Sequence, residues 1–166
     1  IMKVVPAILT SDIDSFWNQI KKLSSLYNHF HIDILDRTIY GSNKTISLDD
    51  ISKTVDAHID LIKKIEIDFH FMVKNPDYLS KNIRYLKSQI NIKTLYFHYK
   101  TSPNLKILYD EIGIEIGLAI DSDDSIDEFI EKYGLEEVKS IIIMTIVPGA
   151  QGQSFIEYPL NKIEQL

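Results

Sequence analysis

The sequence lacks cysteine, long apolar runs and an excess of positive charge, and each absence excludes a class of protein or site. Without cysteine there are no disulfides or thiolate metal sites, so any metal must be bound by histidine or carboxylate side chains. No apolar run approaches the roughly 20 residues that a membrane-spanning helix needs, and the first run, residues 4–9, is too short for a signal peptide. The net charge is −6, with no stripe of Lys and Arg among aromatics. We therefore expect a cytoplasmic protein with no nucleic-acid or membrane partner.

The remaining composition is typical of a soluble globular protein. The chain has 166 residues, of which 45% are hydrophobic and 25% are charged. This is enough for one substantial core and too little for two large domains. No linker or low-complexity tract interrupts the chain, so we predict a single domain over residues 1–166.

Short apolar runs recur along the whole chain and predict β-strands. Each run is nearly continuous in apolar character and contains Val, Ile, Phe or Tyr, as is typical of a parallel strand covered on both faces. The predicted strands cover residues 4–9, 29–35, 65–72, 92–98, 114–120 and 141–147.

Amphipathic segments separate these runs and predict helices. Ile13, Phe16, Trp17, Ile20 and Leu23 form one apolar stripe at helical spacing. Comparable patterns predict helices over residues 51–62, 79–86, 126–133 and, more weakly, 103–111. Six alternating strand–helix units indicate an α/β fold with a parallel sheet and crossover helices. The spacing alone fits either an open doubly wound sheet or a barrel.

Polar residues at alternate positions on two predicted strands are candidates for a metal site. His31 and Asp33 are two residues apart, so both side chains point to one face of the sheet, and Asp68, His70 and Met72 repeat this arrangement on the next strand. Buried polar side chains are costly unless they are paired or bind a metal. A His/Asp/His set suits Zn²⁺, Mn²⁺ or Fe²⁺. The alternative is a pair of hydrogen-bonded core histidines.

A glycine-containing loop follows the last predicted strand. Gly149 and Gly152 lie between that strand and a helical segment, where backbone N–H groups could approach an anion. Most loops of this composition are only turns, so the pattern by itself is a weak indication of a phosphate site.

Four motifs occur in order along nearly the whole chain: PAIL at residues 6–9, HIDILD at 31–36, DFHFMV at 68–73 and MTIVPGAQGQSF at 144–155. They resemble the P-S-I-L, H-x-D-x-M-D, D-x-H-L-M-V and M-T-V-x-P-G-F-x-G-Q-x-F motifs of the ribulose-phosphate 3-epimerase family. His98 and residues 117–120 match the ends of that family's fourth and fifth strands. The resemblance implies a (β/α)₈ TIM barrel of the ribulose-phosphate-binding type, with about six of the eight β/α units present.

The resemblance also implies a reaction. It is that of a metal-dependent isomerase, a 3-epimerase of a ketose phosphate such as D-ribulose 5-phosphate, which removes and returns a proton through an enediolate. His31, Asp33 and His70 would bind the divalent metal, with zinc expected first and iron, manganese or cobalt as alternatives, and Asp33 would also be the catalytic base. The substrate-binding residues would be Met72 and Met144 around the enediolate and Gly149, Gly152 and Gln153 near the phosphate.

Several departures from the family pattern leave other functions open. Ala7 replaces the family's serine, Arg37 replaces a glycine, and Lys100 stands where an acidic residue is common. The family's second catalytic aspartate would lie beyond Leu166. The main alternative is a catalytically degenerate barrel that acts as a sugar-phosphate-binding or assembly protein. The altered loop at residues 37–45 also permits another sugar, such as an allulose phosphate, and other phosphate-binding barrels such as decarboxylases stay open.

Six strands cannot close a barrel that needs eight. We therefore expect the first and last strands, residues 4–9 and 141–147, either to face each other across a gap or to be covered by another chain. Unpaired edges of this kind favour a homo-oligomer.

Overall fold

Six parallel strands form one sheet in the computed structural model of the protein, which describes residues 2–41 and 44–166. The strands follow each other in chain order, so each one pairs with its sequence neighbours. This order is that of a partial TIM barrel and differs from a doubly wound sheet, in which the order reverses. The strands are β1 (Ala7–Ile8), β2 (His29–Leu35), β3 (Glu66–Met72), β4 (Ile92–His98), β5 (Glu115–Ile120) and β6 (Ile141–Ile143).

Helices connect the strands, mostly where the sequence predicts them. Asp12, Ser47, Asn104 and Ser125 each accept a backbone N–H at a helix start, which satisfies one of the groups left unpaired there. The α-helices are α1 (Ile13–Leu23), α2 (Leu48–Thr54), α3 (Ile59–Ile62), α4 (Ser80–Lys87), α5 (Leu105–Ile112) and α6 (Ile126–Tyr133). Short 3₁₀ helices cover Val55–His58, Asp77–Leu79, Tyr99–Thr101 and Tyr158–Glu164.

The prediction of one helix over residues 51–62 is wrong, because that segment is broken into α2, a 3₁₀ turn and α3. The Thr54 hydroxyl, at the break, donates to the backbone carbonyls of Asp50 and Ile51. It also accepts the indole N–H of Trp17 at 2.8 Å. Such side-chain bonds to the preceding turn compete with the helical ladder and bend a helix.

The core lies between the outward face of the sheet and the helices. Phe30 and Ile32 on β2, Phe69 and Phe71 on β3 and Leu95 on β4 are all almost completely buried there. A smaller cluster joins β5 to α6 through residues such as Leu118 and Phe129. The apolar residues of the central strands therefore face the helices, which leaves the inward face for other side chains.

The two edge strands are much shorter than predicted. β1 covers only Ala7–Ile8 of residues 4–9, and β6 covers only Ile141–Ile143 of residues 141–147. Each has one neighbouring strand, so only one side of its backbone is held by ladder hydrogen bonds. Within the described residues, no strand pairs with the outer side of either. Ala7 and Leu9 on one side and Met144 and Ile146 on the other line a single cavity, so the two edges face each other across a gap, as expected.

Candidate active site

The inward face of the central strands carries histidine and aspartate side chains in register. Asp33 on β2 is paired with His70 on β3, and His70 is paired in turn with Tyr96 on β4. Residues paired in this way project to the same side of a parallel sheet. The alternation that predicted this face from sequence is therefore confirmed.

Three of these side chains converge on one point. Asp33 Oδ1 lies 3.0 Å from His70 Nδ1 and 3.3 Å from His31 Nε2. One ligand atom from each residue can be chosen so that all three lie within 4.8 Å of one another. Two imidazole nitrogens and a carboxylate oxygen are ligands for Zn²⁺ and for other divalent transition metals, so the residues present fit the metal that the sequence implies.

The protonation states of these residues also fit a metal site. Burial alone would raise the pKa of Asp33, but hydrogen bonds from His31 and His70 lower it well below its usual range. Burial lowers the pKa of His70 to about 4, although its contact with Asp33 works in the opposite direction. At neutral pH Asp33 is thus a carboxylate and His70 a neutral imidazole, and these are the forms that bind a metal.

A cavity of about 200 Å³ lies beside this cluster, in the gap between the edges of the sheet. It is smaller than the roughly 300–1,000 Å³ typical of drug-sized ligand sites, and so suits a small metabolite. The structure brings all the predicted catalytic and substrate-binding residues to its wall: Asp33, Met72, Met144, Gly149, Gly152 and Gln153. His31 and His70 do not line the cavity, but both contact Asp33, which does.

The loop on the cavity wall depends on its glycines. Gly149 has a φ of 106° and Gly152 a φ of 74°, values that L side chains rarely adopt. Gly149 is buried and Gly152 is exposed. The chain can turn here so that backbone, rather than side chain, lines this part of the cavity.

A hydrogen-bonded chain beyond His70 was not predicted. His70 Nε2 lies 2.9 Å from His98 Nε2, and the Nδ1 of His98 is 3.3 Å from Asp121 Oδ1. The Tyr40 hydroxyl donates to Asp121 Oδ2 at 2.7 Å and lies 3.1 Å from His98 Nδ1. The sequence contained a signal for His98, which ends β4 with the same inward alternation as Thr94 and Tyr96.

Asp68 shares the inward face with His70 but belongs to a different pair. Its Oδ2 lies 2.7 Å from His29 Nε2, and Lys3 Nζ lies 2.8 Å from the other ring nitrogen of His29. His29 and Asp68 are both largely buried. The His29–Asp68 pair therefore lies outside the triad of His31, Asp33 and His70.

Two of the departures seen in the sequence have a structural counterpart. Lys100 forms an ion pair with Asp124, whose side chain is only 1% exposed, so the positive charge neutralises a buried carboxylate. Arg37 has a φ of 75°, in the left-handed region that favours glycine. Nothing in the structure explains Ala7 in place of serine, although Ala7 does line the cavity.

A larger cleft of about 510 Å³ lies at the other end of the sheet. Its lining includes Tyr109, Gly113, Glu115 and Lys139, near the points where β5 and β6 begin. Active sites of such barrels form at the carboxyl ends of the strands, and the opposite end serves stability. The smaller cavity beside Asp33 is therefore the candidate active site.

Among the helices that the structure describes, none is long and apolar enough to cross a membrane.

Comparison with known proteins agrees with the fold. The sequence model of the ribulose-phosphate 3 epimerase family matches residues 3–166. The chain therefore belongs to this family of isomerases.

Individual ribulose-phosphate 3-epimerases are similar over almost the whole chain. The Synechocystis enzyme is 30% identical over 98% of the chain and 68% of its own length. The Helicobacter pylori enzyme is 27% identical over 97% of the chain and 70% of its own length, and the Bacillus subtilis enzyme is 26% identical over 99% and 72%.

Proposed function

We propose that this protein is a metal-dependent 3-epimerase of a ketose phosphate such as D-ribulose 5-phosphate, acting in the cytoplasm. The observation that carries the proposal is one arrangement at the carboxyl ends of the strands. Asp33 belongs both to the triad with His31 and His70 and to the wall of the cavity beside it. A carboxylate in both places can act on a substrate bound in the cavity.

Asp33 is the base in this proposal. It is ionised at neutral pH, as a general base must be before it can accept a proton. It takes the proton from C3 of the ketose, and the electron pair of that C–H bond forms the double bond of an enediolate as the adjacent carbonyl oxygen becomes negative. A divalent cation held by His31, Asp33 and His70 would stabilise that negative charge.

The other cavity residues bind the substrate. Met72 and Met144 place apolar surface next to Asp33, which excludes water from the reacting carbon. The backbone at Gly149 and Gly152, with Gln153, offers polar groups to the phosphate. Proton return from the same face regenerates the substrate. Epimerisation needs an acid on the opposite face, for which the resemblance implies a second aspartate on a later strand.

The test is exchange of the C3 hydrogen with solvent. In D₂O, with Zn²⁺ and ribulose 5-phosphate, we expect deuterium at C3 by NMR, because exchange needs only the base on one face. Asp33→Asn should abolish the exchange, whereas Asp123→Asn, an exposed carboxylate away from the cavity, should leave it unchanged.

Exchange that continues undiminished in Asp33→Asn would remove Asp33 from the mechanism. No exchange with any ketose phosphate, although metal is bound, would favour the alternative of a barrel that binds sugar phosphates without turnover.

A further inference from the structure

The structure describes three residues outside the triad that continue from His70 in one line. They are His98, Asp121 and Tyr40, and we call this row of hydrogen-bonding side chains the outer chain. His70 and His98 are 2% and 3% exposed, so neither ring can exchange its partner for bulk water. The two rings are nearly parallel, with 18° between their planes and 4.9 Å between their centroids. Their Nε2 atoms face each other at 2.9 Å, so one of the two must donate and the other must accept.

The side of His70 that faces Asp33 determines which ring must donate. His70 Nδ1 is the atom that approaches Asp33; it can donate a hydrogen bond to that carboxylate without metal, but must offer a lone pair once a metal lies between them. A neutral imidazole carries one N–H, so a lone pair on Nδ1 that serves as a ligand requires the proton to be on Nε2. His70 Nε2 then donates to His98 Nε2, and His98 must carry its own proton on Nδ1.

Asp121, at the end of the outer chain, can accept a hydrogen bond from His98 in that arrangement. His98 Nδ1 faces Asp121 Oδ1 at 3.3 Å, and Oδ1 is buried with no well-aligned hydrogen bond of its own. Tyr40 donates to the other oxygen of Asp121 at 2.7 Å and so holds the carboxylate. With the opposite tautomers, His98 Nδ1 would turn a lone pair towards Asp121 Oδ1, so two acceptors would face each other. The single O–H of Tyr40, 3.1 Å from Nδ1, could donate to His98 only by giving up its bond to Asp121.

We propose that Asp121, acting through His98, is a positioning residue that holds His70 in its metal-binding tautomer. This inference rests on the metal site of the proposed function. Groups that orient a metal-binding histidine through its second ring nitrogen affect metal affinity by about 10- to 100-fold. Here the orienting carboxylate acts across one intervening imidazole.

The experiment measures the Zn²⁺ dissociation constant by competition with a chelator. Asp121→Asn keeps the size of the side chain but removes the charge that selects one tautomer, and we expect binding to weaken by about 10-fold. Tyr40→Phe should weaken it less, since the carboxylate stays. Asp123→Asn is the matched control, because this exposed aspartate lies in the same loop and its described hydrogen bond is with Tyr158.

A second readout separates positioning from a loss of fold. Correlation spectra of the histidine ring ¹⁵N nuclei in the zinc-loaded protein should show one tautomer each for His70 and His98 in the wild type. In Asp121→Asn, His98 should show mixed tautomers, while the thermal melt of the metal-free protein stays cooperative. Asp121→Glu should restore part of the affinity and the single tautomer.

The possible failures are distinguishable. If the wild type binds Zn²⁺ and Asp121→Asn has the same affinity and the same tautomers, the role of Asp121 is wrong and the metal site stands. If the wild type binds no Zn²⁺, the metal site itself is wrong, and the inference is overturned with it.

Discussion

The central strands and the edge strands of this sheet differ in how completely the described chain builds them. β2, β3 and β4 each have seven residues and a neighbour on both sides. β1 and β6 have two and three residues and one neighbour each. The metal-type triad projects from β2 and β3, whereas most of the cavity wall comes from β1 and from the segment after β6.

This difference separates the two halves of the proposed site. The triad is held by strands whose backbone groups are paired on both sides, so its geometry is fixed independently of the edges. The substrate side is formed across a gap, where the wall depends on what else pairs with β1 and β6. Variants of the central strands should therefore affect metal binding and stability strongly, and variants of the edges should affect mainly the substrate.

Removing the two histidines of the triad should have the largest effect. In His31→Ala/His70→Ala, one carboxylate remains of the three ligands, and we expect Zn²⁺ binding in equilibrium dialysis to fall below detection. Gln153→Ala at the edge should bind Zn²⁺ like the wild type and lose affinity only for the sugar phosphate. The control is His58→Ala, because the His58 ring stacks on Trp17 and is not part of the triad. Equal loss of metal binding in the edge variant would remove the distinction between the two halves.

Core truncation should destabilise the centre more than the edge. Phe69 on β3 is fully buried, and Phe69→Ala should lower the free energy of unfolding by about 3–5 kcal/mol because it removes apolar contacts and leaves a cavity. Ile143 on β6 is only partly buried, so Ile143→Ala should cost about 1 kcal/mol. Urea titrations of both variants measure the two values. Similar losses would show that β6 is as well packed as β3.

Burial of His70 should make the metal-free protein sensitive to acid. The pKa of His70 is about 4 in the folded protein, below its ordinary value of 6.5. The unfolded chain therefore binds the proton first as pH falls. The stabilisation is fully present above about pH 6.5 and is lost as pH falls towards about 4, by about 3 kcal/mol in total.

Urea titrations between pH 7 and pH 4 test this slope. In His70→Gln a substantial part of the pH dependence should disappear, whereas His58→Gln should keep it. A slope that His70→Gln leaves intact would mean that another group titrates.

Covering the edges should give a smaller effect that depends on protein concentration. Unpaired buried backbone groups cost about 1–3 kcal/mol each, so a second copy that pairs with β1 or β6 would raise the melting temperature as concentration rises. Light scattering and melts over a 100-fold concentration range measure this. A monodisperse monomer with one cooperative, concentration-independent melt typical of a full domain would contradict the edge argument.

The sequence predicted the central strands well because their pattern has a single physical interpretation. On β2, Phe30, Ile32 and Ile34 must face the helices, so His31 and Asp33 must face inward. The ends of β1 and β6 were overestimated because an apolar run shows that residues can be buried but not that a neighbouring strand is there to pair with them. The break at Thr54 depends on a bond to Trp17, 37 positions away, which no local pattern contains.

The sequence predicted the parts of the candidate site that depend only on alternation within one strand. His31, Asp33 and His70 follow from alternation, but alternation alone could not decide that Asp68 pairs with His29 rather than with the triad. The roles of His98, Asp121 and Tyr40 depend on the register of β3 against β4 and on a loop that reaches across the sheet. These relations are set by tertiary structure, so the outer chain appears only in the folded protein.

The most direct test of the account is X-ray absorption of the zinc-loaded protein, which counts the imidazole ligands of the metal. We predict two imidazole nitrogens at about 2.0–2.1 Å and at least one carboxylate oxygen in the wild type, and one imidazole in His70→Ala. Zinc bound without imidazole, or with the same ligand set in wild type and His70→Ala, would contradict the assignment of the metal to His31, Asp33 and His70.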